Sequence, residues 1–259
     1  MTLSGKTFVV TGGASGIGLT IVQQLLKLSA TVHVIDMASA LPEFDSSLGG
    51  GKVHTYGSVD VSSRQAVRQT FGTIFSQGPR LDGLVNCAGI VRQHASTPDS
   101  DDLFRKVWEV NLGGTWNVAT EFARSFQDQA GAGAEKDGAK ERKKSKDATV
   151  SIVNVGSMAS VRGLPGIPGY VASKHAVLGL TRAWAQEWGP LGVRVNLIAP
   201  GIVKTPLTVQ SPAENPVVFP CALKDYAEPE EIAGVAAFLL GGGSSYVTGQ
   251  VIEVNGGWA

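Results

Sequence analysis

Tyr170 and Lys174 stand four residues apart in the stretch Tyr-Val-Ala-Ser-Lys, with Ser157 thirteen residues upstream. On a helix this spacing puts the phenol and the ammonium on one face, a turn apart. A cation held beside a phenol favours the phenolate, so a tyrosine of ordinary pKa near 10 would exchange protons closer to neutrality. A serine hydroxyl nearby could hold a substrate oxygen in place. Such a set suits proton transfer to or from an alcohol or carbonyl oxygen. It cannot move a hydride, so a carrier is required.

The N-terminal residues offer a place for one. A β-rich run, Thr7–Thr11, ends in Gly12-Gly-Ala-Ser-Gly16-Ile-Gly18, and an apolar helical pattern through Ile21, Val22, Leu25 and Leu26 follows at once. Strand, glycine turn and helix form the arrangement in which backbone N–H groups cradle a pyrophosphate. Side chains there would hold the phosphates off. The second strand, Thr31–Ile35, ends in Asp36, an acid placed to accept the ribose hydroxyls of adenosine and to repel a 2′-phosphate. Neither Ser15 nor Met37 offers a cation to such a phosphate. The expectation is NAD, with NADP as the alternative.

Further strands are expected at Lys52–Tyr56, Leu81–Val85, Thr149–Val155, Arg194–Ile198 and Val251–Val254, alternating with helical stretches such as Ser63–Phe75 and Pro229–Leu240. This alternation implies an α/β fold in one domain over 1–259: a Rossmann-type, doubly wound, mostly parallel seven-stranded sheet with helices on both faces. The long helical segment Asp101–Phe126 carries Asn-Leu-Gly-Gly from Asn111, poor helix chemistry that should loosen or kink it there. Trp184 and Trp188 read as core or subunit-interface residues. Residues 127–148, rich in Gly and Ala and then in mixed charge, read as an inserted surface excursion, with a partner-binding or nuclear-import tag through Arg142-Lys-Lys144 as the alternative. The proline-rich stretch 202–225 reads as a lid over the site.

Composition excludes several classes. The 22 basic and 22 acidic residues balance, which gives no general pull toward nucleic acid or anionic membrane. Two cysteines make no disulfide framework, four scattered histidines show no metal-ligand spacing, and no metal is expected. No apolar run is long enough to span a membrane, and the N-terminus reaches its first strand without room for a signal peptide, so a cytoplasmic location is expected.

Taken in order, Thr11-Gly12-x-x-x-Gly16-x-Gly18, Asp36, Asp60-Val61, Asn86-Cys-Ala-Gly89, Asn111, Ser157, Tyr170-x-x-x-Lys174 and Pro200-Gly201 with Thr205 resemble the short-chain dehydrogenase/reductase family, in its branch of about 250 residues. Cys87 departs from it where a second Asn is usual, and Gly156 where Ser is common. The resemblance implies NAD(P)-dependent oxidation of an alcohol or reduction of a ketone, with Asn111, Ser157, Tyr170 and Lys174 catalytic. Tyr170 would be the acid/base, Lys174 would lower its pKa and hold the nicotinamide ribose, Ser157 would bond the reacting oxygen, and Asn111 would hold a water linking Lys174 to solvent. Gly12, Ser15, Gly16, Ile17, Gly18, Asp36, Asp60, Val61, Asn86, Ala88, Gly89, Tyr170, Lys174, Pro200, Gly201, Val203 and Thr205 would bind the cofactor, with Val203 and Thr205 fixing the carboxamide. The expected substrate is a secondary, uncharged, fairly apolar and cyclic small-molecule alcohol or ketone, with Arg92, Gln93 and His94 as polar handles on one wall. A homotetramer or homodimer is implied, through the helices that begin near Asp101 and Tyr170. The alternatives are an NADP-dependent ketoreductase of a biosynthetic pathway, a non-redox enzyme and a binding scaffold on the same fold.

Overall fold

The computed structural model describes residues 2–45, 49–78, 80–91, 100–131, 150–209 and 221–258. Seven strands, β1 (Thr7–Thr11), β2 (Thr31–Ile35), β3 (Lys52–Tyr56), β4 (Gly83–Asn86), β5 (Val150–Val155), β6 (Val193–Pro200) and β7 (Val251–Val254), form one sheet in the order β3-β2-β1-β4-β5-β6-β7. Every pairing in it is parallel. The order reverses between β1 and β4, and ligands of open parallel sheets bind beyond the carboxyl strand ends at such a reversal.

Both faces of the sheet are covered, so the central strands read as continuous apolar runs. Phe8, Val10, Val34, Val85 and Val153 pack under α1 (Gly16–Lys27) and α7 (Pro229–Leu240). Val9, Leu84, Ile152 and Val195 pack under α2 (Arg64–Ser76), α4 (Thr115–Gly131) and α5 (Pro168–Trp188). The Trp184 and Trp188 rings stack at 4.9 Å in that second layer, both buried, which bears out their core reading. Among the described residues no helix is long and apolar enough to cross a membrane.

The helical segment expected over Asp101–Phe126 is interrupted, as its Asn-Leu-Gly-Gly composition implies. It starts as α3 (Asp101–Trp108), passes through a π-helical segment at Glu109–Gly114 and resumes as α4. Single π turns of this kind re-aim side chains within a helix. Gly114 is there because a Cβ would sit 2.6 Å from Val61 Cγ2.

Several boundaries differ from expectation. Residues 127–131 continue α4 rather than opening an excursion, helped by the helix-favouring Gln127, Gln129 and Ala130; the rest of that stretch, 132–148, lies outside the described residues. β4 runs one residue further than expected, to Asn86, and β6 extends to Pro200, because each keeps a parallel partner there. The 202–225 stretch is not wholly irregular: it contains α6 (Pro206–Val209) and a bridge between Val203 and Ala227, while 210–220 lie outside the described residues.

Candidate active site

A cleft of about 1090 Å³ opens at the carboxyl edge of the sheet, lined at one end by Gly12, Asp36 and Asp60 and at the other by Ser157, Tyr170 and Tyr226. That is just above the usual range for ligand pockets, about 300–1,000 Å³, and suits a long ligand with a second molecule beside it.

The glycine turn comes off β1. Gly12 has φ +67°, and a Cβ on it would lie 2.8 Å from the Ala88 backbone; one on Gly18 would meet the Gly12 carbonyl oxygen at 2.0 Å. Close backbone packing excludes any larger residue here. Ser15 precedes α1 in an extended conformation without a side-chain capping bond, so its hydroxyl does not occupy the first-turn N–H groups. These bare donors at a helix N-terminus, beside Asp36, fit the diphosphate and ribose of a dinucleotide.

Asp36 ends β2 with both carboxylate oxygens engaged: Oδ2 accepts from Ala14 N at 2.9 Å and Oδ1 from Ala38 N at 2.9 Å. Each oxygen keeps a further lone pair. The carboxylate thus closes the loop and remains available on the cleft wall. Asp60 accepts from the Ser62 hydroxyl (2.6 Å) and backbone (2.8 Å), and these bonds hold its pKa below the usual carboxylate range. Lys106, which the sequence did not single out, stands 3.9 Å from Asp60 on the same wall. Thr11 Oγ1 accepts from Cys87 N (3.2 Å) and Ala88 N (3.3 Å), hanging the turn after β4 on the end of β1.

Pro168 opens α5, which starts two residues before Tyr170. Lys174, one turn on, donates from Nζ to the Val155 carbonyl at 3.0 Å and lies 5.7 Å from the Tyr170 ring centroid. Ser157 follows β5 and reaches Tyr170 through a side-chain hydrogen bond that favours the phenolate. The expectation of a tyrosine titrating nearer neutrality is corrected here. Burial outweighs the Ser157 bond and pushes Tyr170 up to about 12. Burial likewise brings Lys174 down to about 8. The two groups disfavour charge together, so the ammonium does not activate the phenol by itself.

Of the residues expected in the site, Asn86 and Asn111 are absent from the cleft wall. Asn86 Nδ2 donates to Asn154 Oδ1 at 2.9 Å, and Asn154 Nδ2 donates to Thr181 Oγ1 at 2.9 Å, a buried chain tying β4 to β5 and α5. The Asn111 carboxamide brackets Ile90, accepting from its N–H at 2.8 Å and donating to its carbonyl at 2.9 Å, and also donates to Ser173 Oγ at 3.1 Å. It fixes the cleft-lining backbone after Gly89 and the residue before Lys174. Arg92, Gln93 and His94 lie outside the described residues. Sequence reasoning missed Tyr226 and the Ser160 hydroxyl, which stands where the Ser157 N–H donates to it at 3.3 Å.

The fold and this arrangement define a dinucleotide-binding oxidoreductase. Residues 6–216 match the short chain dehydrogenase family. The "Short-chain dehydrogenase/reductase ABA4" of Pyricularia oryzae is 36% identical, the match covering 99% of this chain and 93% of that protein. A short chain dehydrogenase of Mycobacterium paratuberculosis, solved bound to NAD, superposes with TM-score 0.81 at 26% identity over 99% of this chain and 98% of the other. The NADPH-dependent 3-quinuclidinone reductase of Rhodotorula rubra superposes with TM-score 0.83 at 25% identity over 100% and 92%. The chain belongs to the short-chain dehydrogenase family, whose structures here carry or use NAD or NADP.

Proposed function

We propose that the protein transfers a hydride between NAD(H) and a secondary, uncharged, cyclic alcohol or ketone, with Tyr170 as the acid/base. The observation that carries this reading is the convergence of the Ser157 hydroxyl, the Tyr170 phenol and the Lys174 ammonium at one end of a cleft whose other end holds Asp36.

Gly12 and Ser15–Gly18 would hold the pyrophosphate, Asp36 the adenosine ribose, and Asp60, Val61, Ala88 and Gly89 the adjoining wall. Pro200, Gly201, the Val203 backbone and Thr205 would hold the carboxamide end, and Lys174 the second ribose, since one of its three N–H donors goes to Val155 and two remain. NAD, when bound, supplies the hydride acceptor for oxidation and, reduced, the donor. Ser157 hydrogen-bonds the reacting oxygen as negative charge grows on it. Tyr170 gives that oxygen a proton in reduction and removes one in oxidation. A neutral phenol in the buried site is the form that reduction needs, and the raised pKa keeps it so.

Asp36 supports NAD over NADP, since its carboxylate faces the cleft with no cation from Ser15 or Met37 beside it. The substrate end is walled by Ile90, Val91, Leu164, Pro165, Ile167 and Leu207, which supports an apolar substrate without a phosphate. The cyclic ketone named for the Rhodotorula relative supports the same class. Trp116 and Phe104, 48% and 42% exposed on α4 and α3, support assembly into a dimer or tetramer through those helices and α5. Parallel titrations with NAD and NADP, followed by turnover on a panel of cyclic and open-chain secondary alcohols, test the reading. Tighter NADP binding would overturn the cofactor choice, and a preference for charged or primary alcohols the substrate class.

A further inference from the structure

The Met158–Ser160 turn that follows Ser157 is braced from outside by the last residues of the chain. Beyond β7, Gly256 and Gly257 take φ of +65° and +81° and turn the chain back. Asn255 Oδ1 accepts from Gly257 N at 3.0 Å, and Trp258 N donates to the Asn255 carbonyl at 3.2 Å. The result is a compact C-terminal turn that drives Trp258 into an apolar cluster with Met158, Val177, Leu197 and Ala199, where it is 9% exposed.

Polar contacts join the same two segments. Asn255 Nδ2 lies 3.3 Å from Met158 Sδ, the residue next to Ser157. Arg162, whose N–H donates to the Met158 carbonyl at 2.9 Å, donates from Nη2 to the Trp258 carbonyl at 3.4 Å and places its guanidinium 5.9 Å from the Trp258 ring. It also pairs with Glu253 at 3.7 Å. On its other side the C-terminal turn holds Leu223, whose N–H donates to the Gly256 carbonyl at 2.9 Å, and a Cβ on Gly257 would lie 2.9 Å from Ala222 Cβ. Asn255 also backs the cleft wall, because a Cβ on Gly201 would lie 3.0 Å from its Cα.

We propose that Asn255 and Trp258 are positioning residues for the reaction: the C-terminal turn sets where the Ser157 hydroxyl stands relative to Tyr170 by holding Met158 and Arg162. The inference rests on the reading of Ser157 as the group that bonds the reacting oxygen. A displaced hydroxyl weakens a bond formed in the transition state, so the loss falls on kcat and leaves cofactor affinity alone.

The test is a double-mutant cycle of Trp258→Ala with Ser157→Ala in the 259-residue chain, reading kcat, KM for the alcohol and Kd for the cofactor. Trp258→Ala is expected to lower kcat about tenfold or more with cofactor Kd within about twofold, and to cost less than about twofold in the Ser157→Ala background. Trp258→Phe should restore most of kcat. Asn255→Ala, which removes the Met158 contact without removing core volume, should give the same pattern and serves if Trp258→Ala does not fold. An equal loss in both backgrounds, an unchanged kcat, or a parallel loss of cofactor binding overturns the positioning role while leaving the site reading intact. Full activity in Ser157→Ala alone overturns both.

Discussion

Lys174 lies beside Tyr170 with its Nζ 5.7 Å from the ring centroid, and it directs one proton to the Val155 carbonyl 3.0 Å away. The ammonium is therefore anchored to the end of β5, the strand that also delivers Ser157. Its position is set by the sheet rather than by the phenol. This anchoring makes Lys174 a fixed charge whose own ionisation is costly in the buried site.

That cost gives a pH signature. Burial lowers Lys174 from 10.5 to about 8, so between about pH 8 and 10.5 the unfolded chain binds a proton the folded one does not. Stability from this group therefore rises with pH across that window and is lowest below it. Tyr170, raised from 10.0 to about 12, acts oppositely: above about pH 10 the unfolded tyrosine loses a proton that the folded one keeps. Stability should fall with rising pH there. Lys174→Met should remove the rise between pH 8 and 10.5, and Tyr170→Phe the matching part of the fall above pH 10, in chemical denaturation series at stepped pH. Curves unchanged by both substitutions would contradict the assignment.

The same shifts separate the two directions of turnover. Oxidation needs a deprotonated Tyr170 and reduction a protonated one, so kcat/KM for the alcohol should climb with pH into the alkaline range while that for the ketone declines. Steady-state profiles in both directions check this, and coincident optima would count against Tyr170 as the acid/base.

Asp36→Ala should weaken NAD binding by about tenfold or more while changing NADP binding less, since it removes a ribose acceptor but also a charge that repels the 2′-phosphate. Because Asp36 also holds the N–H groups of Ala14 and Ala38, some thermal stability should go too. Fluorescence titration of both cofactors reads the ratio, and an unaltered ratio would refute the ribose role.

At Gly156 a Cβ would lie 2.6 Å from Leu197 Cδ2 and 2.7 Å from Ser160 Oγ, where the family commonly has Ser. The missing side chain leaves room for the Ser160 hydroxyl, which accepts the Ser157 N–H at 3.3 Å and completes a capping box with Ser157. Gly156→Ser alone should cost about 1–3 kcal/mol through overpacking and lower kcat. Gly156→Ser with Ser160→Gly should recover part of both, the share due to the Ser160 hydroxyl, while the Leu197 contact remains. Thermal melts and kcat for the three variants test the exchange; additive losses in the double variant would argue against it.

Much of this architecture could be read from local patterns, and the reason is physical. The strands β1, β2, β3 and β7 fall where β-rich runs meet glycine or acid, and the Tyr170–Lys174 face follows from helix period alone. The π segment at Asn111 was foreshadowed by Leu-Gly-Gly after it. What stayed hidden depends on register between distant strands. Asn86 lies opposite Asn154 in the β4–β5 ladder, and that pairing turns it from the cleft into a buried amide chain. Nothing in the spacing of Gly156 and Ser160 shows that Leu197, from β6, fills the gap between them. Tyr226 reaches the cleft only because Ala227 bridges to Val203. The raised pKa of Tyr170 was likewise hidden, because burial is a property of the whole assembly of elements around it.

The most direct test follows the absorbance of reduced nicotinamide when NAD and a panel of cyclic secondary alcohols are mixed with the protein and with its Tyr170→Phe variant. The account predicts that the band grows with at least one alcohol for the native chain and falls by about 10²-fold or more in rate for the variant, whose cofactor Kd is unchanged. Equal rates in the two proteins, or no band with any alcohol or in reverse with any ketone while NAD binds, would contradict it.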